Sequence, residues 1–113
     1  MRTVERNMVD TIKNRKCRKF GNTEIYSCND TDAVLVHLHG NLIAKVTVDS
    51  VTLYSAGWRT VTTKSRLNAI LSGLGINSYI YQSQYQWYVR NITKGVIDTF
   101  YDGYTIERKH NGN

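Results

Sequence analysis

One stretch constrains the fold of this chain more than any other: residues 33–55, AVLVHLHGNLIAKVTVDSVTLYS. Its three β-rich segments are parted by Gly40-Asn41 and Asp49-Ser50, pairs that suit two-residue turns, so the pattern predicts a three-stranded antiparallel meander. Tight turns also fix register. They pair His39 with Leu42, His37 with Ala44, Leu35 with Val46, Val48 with Val51, and Val46 with Leu53, and paired residues share a face. One face then collects Ala33, Leu35, His37, Ala44, Val46, Val48, Val51 and Leu53, and is expected to form the core. The opposite face carries Val34, Val36, Leu38 and Ile43 at one end and Lys45, Thr47, Thr52 and Tyr54 at the other. Residues 23–28 or the C-terminal strands are expected to cover it in part.

A sheet with one apolar face needs helices to bury it, and two are legible. Val4, Met8 and Ile12, with Val9 beside them, predict an amphipathic helix over residues 3–15, capped by Thr3 and left at Gly21. Leu67, Ile70, Leu71 and Leu74 predict a second, capped by Thr62 or Thr63 and ended by Gly73 or Gly75. Beyond it, NSYIYQSQYQWYVR predicts a hairpin about Ser83-Gln84, and Asp102-Gly103 is expected to join VIDTFY to YTIER. The class is α+β: an N-terminal helix, an antiparallel three-stranded meander, a central helix, and further antiparallel hairpin strands. With no proline and no linker-like stretch, residues 1–113 are expected to form a single domain. Its parts are a basic amphipathic helix and arm at 1–20, a core of sheet and helix at 22–106, and a polar tail at 107–113.

Several classes of function are disfavoured. No apolar run approaches the roughly 18 residues of a membrane span, and the N-terminus lacks the apolar segment of a signal peptide. Cys17 and Cys28 are expected to be free thiols, without the spacing of a zinc finger or a disulfide framework. His37 and His39 form a His-x-His pair without a third ligand, so no metal site is expected, and a packed His37 bonded to Ser55 or a carbonyl is the better reading. No nucleophile is paired with a base, the acids fall mostly in turns, and there is no glycine-rich phosphate loop. The expectation is a binding protein without cofactor, not an enzyme.

The charge suggests what is bound. Net charge +6 over 113 residues suits a polyanion or an acidic protein surface. Five of the seven residues in KNRKCRK, at 13–19, are cationic, offering Lys13, Arg15, Lys16, Arg18 and Lys19 to phosphates, although a solvated basic segment looks the same. GWRTVTTKSRLNAIL, at 57–71, loads hydroxyls and cations onto the start of the second helix. Such an end presents unpaired N–H groups and about half a positive charge. Arg59, Thr60, Thr62, Thr63, Lys64, Ser65 and Arg66 lie within reach of that end and can seat an anion there, or a threonine can simply cap the helix. In the late hairpin, Ile80 and Trp87 fall on one side while Tyr79, Tyr81, Gln86, Tyr88 and Arg90 gather on the other. That second side suits either base stacking with a cation, or the cover of a sheet or a protein interface.

LHGNLIA, GWRTVTTKSRLNAIL and QYQWYV, in that order and separation, resemble a group of small tailed-bacteriophage proteins. The matching positions are Asn41, Trp58, Thr62, Thr63, Lys64, Arg66, Leu67, Asn68 and Trp87, and the likeness covers about residues 22–90. It carries no catalytic residue over. It implies a phage origin and action in the cytoplasm of an infected bacterial host, either on nucleic acid (DNA or RNA) or on a host bacterial protein. No membrane partner is expected, and a homo-oligomer is admitted.

Overall fold

The computed structural model describes residues 2–27, 32–57 and 59–108; Cys28 and Trp58 lie outside them. Its elements run α1 (Thr3–Lys13), β1 (Arg18–Phe20), β2 (Thr23–Ser27), β3 (Val34–Leu38), β4 (Asn41–Val46), β5 (Ser50–Leu53), α2 (Val61–Gly73), β6 (Ser78–Ser83), β7 (Gln86–Asn91), β8 (Val96–Thr99) and β9 (Tyr104–Glu107). The class is α+β. A six-stranded antiparallel sheet, ordered β1-β2-β3-β4-β5-β9, stands beside a three-stranded antiparallel sheet, β6-β7-β8. Met8, Val9 and Ile12 of α1 and Leu67, Ile70 and Leu71 of α2 share one core with Ile25, Val34, Val36, Val46, Leu53, Ile80, Trp87 and Phe100.

The meander forms, with its first strand turned over. The loop is His39-Gly40 rather than Gly40-Asn41, both residues sitting in the left-handed region at φ 52 and 78°, which is the geometry of a tight hairpin turn. A bulge then intervenes: Val36 faces Ala44 while His37 faces Leu42, so Ile43 has no opposite number. A bulge shifts register by one residue and so exchanges the faces of everything beyond it. Val34, Val36 and Leu38 are therefore buried, while Leu35 and His37 lie on the outer face, the reverse of the expected assignment. Ile43 and Ala44 both point inward. Between β4 and β5 the loop is longer than expected and Val46 faces Val51. That slip is an even number of residues, so Ala44, Val46, Val51 and Leu53 stay in the core as predicted, whereas Val48 is exposed.

Two other expectations are corrected. Asp102-Gly103 makes the expected turn, Tyr104 N–H reaching the Tyr101 carbonyl, but the strands it joins do not pair with each other: β8 pairs with β7 in one sheet and β9 with β5 in the other. The Asp102 carboxylate instead accepts hydrogen bonds from the Ser55 N–H and hydroxyl at 2.7 and 2.8 Å, and Gly103 N–H donates to the Leu53 carbonyl. With Ser55 so engaged, His37 bonds neither to it nor to a carbonyl among the described residues. Its Nδ1 is buried without a partner, and its ring meets Tyr26 edge-on at 5.1 Å.

Both helices differ slightly from expectation at their ends. In α1 the residue before the first turn is Arg2, which makes no side-chain cap, and the helix stops at Lys13. In α2 the cap is Thr60, whose hydroxyl accepts from Thr63 N–H at 3.1 Å. Its far end closes on Gly75, at φ 73°, with Gly75 N–H reaching Ser72 and Ile76 N–H reaching Leu71, the paired bonds of a glycine-terminated helix.

Candidate nucleic-acid interface

The hydroxyls and cations at the start of α2 are largely spent inside the protein. Thr63 is buried, and its hydroxyl lies 3.0 Å from that of Thr60. Arg66 donates to the Glu5 carboxylate at 2.8 Å and to the Thr23 hydroxyl at 3.2 Å, with Ser65 donating to the same Glu5 oxygen. Burial pushes the Glu5 carboxyl upward, but the bonds from Ser65 and Arg66 and the guanidinium's charge outweigh it and hold it below the ordinary carboxylate value. The anion that cations near a helix N-terminus call for is thus supplied by α1. Thr63 and Arg66 are consequently withdrawn from the expected anion seat. Asn68, one turn on, donates to the Ile80 carbonyl at 2.9 Å and accepts from its N–H at 2.7 Å, binding α2 to the edge of β6.

What remains outward at this end is Arg59, with Thr62 and Lys64 half-buried. Arg59 has its guanidinium carbon 5.8 Å from the centre of the Trp87 ring and 5.5 Å from that of Phe100, a cation–π position that leaves its N–H groups available. Lys64 stands one helical turn before Asn68, on the stripe that faces β6.

The N-terminal basic residues run from α1 into β1. Arg18 and Lys19 belong to β1, an edge strand, where cations also discourage pairing with another chain. Arg18 lies over the Phe20 ring, and Arg15, at φ 55°, is paired with Asp32 at 2.7 Å. Lys13, Lys16, Arg18 and Lys19 are all exposed.

The late hairpin is where the fold gathers predicted residues most clearly. Its turn is Gln84-Tyr85, at φ 51 and 67°, one residue beyond the expected Ser83-Gln84. Partners therefore move by two residues and faces are unchanged. Ser78, Ile80, Trp87 and Val89 are buried, while Tyr79, Tyr81, Tyr88 and Arg90 share the opposite face as expected. Tyr81 and Tyr88 face each other across the strands with rings 5.5 Å apart and 26° from parallel; Tyr79 sits 5.8 Å from Tyr81. Arg90 is opposite Tyr79, and β8 extends the same face with Thr99 beside Tyr88 and Ile97 beside Arg90. Tyr79 is 36% exposed and Arg90 is exposed. The result is a part-exposed row of three π-systems with a cation at its end.

The model of the Kyanoviridae Gp96 protein family matches residues 1–107. The chain belongs to that family. The match makes it a phage protein and takes in the basic N-terminal segment as well as the three motifs. No curated protein and no solved structure matches the chain. Among the described residues of this Gp96-family chain, no three His, Cys, Asp or Glu side chains gather to hold a metal, and no helix is long and apolar enough to cross a membrane.

Sequence reasoning missed two residues of this region. Glu5 is 3% exposed, and its signal was legible: Glu5, Met8, Val9 and Ile12 follow the i, i+3, i+4, i+7 stripe better than Val4 does. Tyr85, at the hairpin tip, is 94% exposed in a backbone conformation that favours glycine. An aromatic residue held there is costly and adds a fourth ring beyond the row.

Proposed function

We propose that this phage protein is a non-enzymatic binder of single-stranded nucleic acid, acting in the infected bacterial cell. The observation that carries the reading is the row of Tyr79, Tyr81 and Tyr88, the last two stacked, with Arg90 on one outward sheet face. Unpaired bases stack on such rings whatever their sequence, and a neighbouring guanidinium adds attraction to the backbone and the ring faces. Arg59, on the Trp87 side of the hairpin, joins Lys64, Lys13, Lys16, Arg18 and Lys19 in the field that draws a polyanion in. Thr63, Arg66 and Glu5 serve as scaffold in this reading.

Anisotropy of a labelled oligonucleotide tests it. Single strands should bind more tightly than duplex, with affinity falling as salt rises. Tyr81→Ala or Tyr88→Ala should each cost about 1–3 kcal/mol, and Arg90→Gln should flatten the salt slope. Unchanged affinity in both tyrosine variants, or retention no better than an unrelated basic protein shows, rejects the assignment. A second reading, docking on a host bacterial protein, is favoured by Ile92, Val96 and Ile97, each about half exposed at the outer edge of the small sheet. A pull-down from nuclease-treated host lysate separates the two: partners lost with the nucleic acid support the first reading, and a retained protein supports the second.

A further inference from the structure

A cleft of about 530 Å³ opens between the C-terminal ends of α1 and α2 and the strands β3 and β4. Its lining includes the half-buried Leu74, with Val34 and Val46 almost wholly buried beneath, and three cations, Lys13, Arg15 and Arg108. They arrive from three separate places: the last turn of α1, the turn that follows it, and the residue after β9. Arg15 is offset by Asp32 at 2.7 Å, and Arg108 spends one N–H on the Thr47 carbonyl at 2.8 Å. Among the described residues, Lys13 makes no ion pair and Arg108 meets no carboxylate. Two positive charges without a carboxylate partner among the described residues therefore line one cleft, although like charges brought together repel. Lys13 is partly explained by the negative end of α1; Arg108 is not.

We propose that this cleft binds a small organic anion with an apolar body. Lys13 and Arg108 take the anionic group, and Leu74 receives the hydrocarbon or aromatic part. The volume suits such a ligand, and a guanidinium can grip carboxylate, sulfonate or phosphate oxygens in pairs. The site lies apart from the tyrosine face, none of its lining residues belonging to β6, β7 or β8.

The test uses 8-anilinonaphthalene-1-sulfonate, a fluorescent anion of that shape, with the full chain. A saturable fluorescence rise is expected. Lys13→Glu and Arg108→Glu should each weaken it about tenfold or more, with thermal melts confirming that each variant is folded. Because Arg108 also holds Thr47, Lys13→Glu alone decides the matter should the other variant fail to fold. Tyr88→Ala should leave dye binding unchanged even if it abolishes oligonucleotide binding, so the two sites fail separately. No saturable rise, or equal affinity in a folded Lys13→Glu, overturns the proposal. Displacement of the dye by an oligonucleotide also overturns it, because the cleft then belongs to a nucleic-acid path.

Discussion

Gly73 is the tightest point of the helix pair, and replacing it with alanine tests how closely α1 and α2 are fitted. A Cβ built there meets Val9 Cγ1 at 2.3 Å, Cγ2 at 2.7 Å and Cβ at 3.0 Å. Ordinary carbon contacts lie near 3.5–4.0 Å, so the helices must part by about 1–1.5 Å or Val9 must rotate. Rotation is hindered, because a β-branched side chain in a helix has one strongly preferred rotamer. Separation is resisted too, since α1 also seats Met8, Ile12 and the Glu5 carboxylate. Alanine gains up to about 1 kcal/mol in helix propensity over glycine. Overpacking costs about 1–3 kcal/mol, with the upper end apt for two anchored helices, so Gly73→Ala should be net destabilising by about 1–2 kcal/mol. Val9→Ala, which deletes two buried methyl groups, should cost about 2 kcal/mol alone. In the double variant the new methyl occupies the space those groups leave. Urea unfolding of the four proteins should therefore give a coupling of at least about 1 kcal/mol in favour of the pair. A Gly73→Ala protein as stable as the parent, or strict additivity, would refute this reasoning.

Three further outcomes are expected. Glu5→Ala should cost about 3–5 kcal/mol in urea unfolding, because it strands Arg66, whose side chain is only 12% exposed. Glu5's folded value lies below 4.5, so the carboxylate's contribution is complete above about that pH and is lost as pH falls through the depressed value; Glu5→Gln should flatten that acid limb. Asn68→Ala removes both bonds to the Ile80 backbone and should lower stability by about 2 kcal/mol. It also frees the β6 edge, so light scattering during refolding should rise, and no rise would show that the edge is guarded by something else. The Tyr104 phenol is pushed well above its ordinary 10.0 by burial and by donating to Asp98. Its contribution is full below that ordinary value and is lost only as pH climbs through the raised one. In an ultraviolet phenolate titration Asp98→Asn should bring one tyrosine down toward the ordinary range, and an unaltered titration would count against the contact.

How much of this was legible follows from which signals are local. The helices were, because Leu67, Ile70 and Leu71 repeat at the period of the helix they form. The tyrosine face was legible even with the turn misplaced by one residue, since moving a two-residue loop along the chain shifts partners by two and leaves each side chain on its face. The β3 face was not. Its inversion arises from a bulge at Ile43, a residue type that gives a bulge no distinguishing mark. Asp102-Gly103 misled for the opposite reason: its local preference for a turn is real, but Ser55 and Leu53, close to fifty positions earlier, hold it in a crossing between sheets. The threonines and cations ahead of Leu67 look alike as letters; only the fold shows that Thr60 caps, that Thr63 is buried and that Arg66 answers a glutamate sixty-one residues away.

The lock between Glu5 and Arg66 limits how the basic N-terminus can be used. Some nucleic-acid readers send a basic arm into a groove, and α1 could act as such a free element only by peeling away from the body. Peeling would leave a carboxylate and a guanidinium each without its counterpart, and would uncover Met8 and Ile12 as well. Any polyanion must therefore come to a rigid surface, with α1 as part of the bench it rests on, not a probe that reaches out.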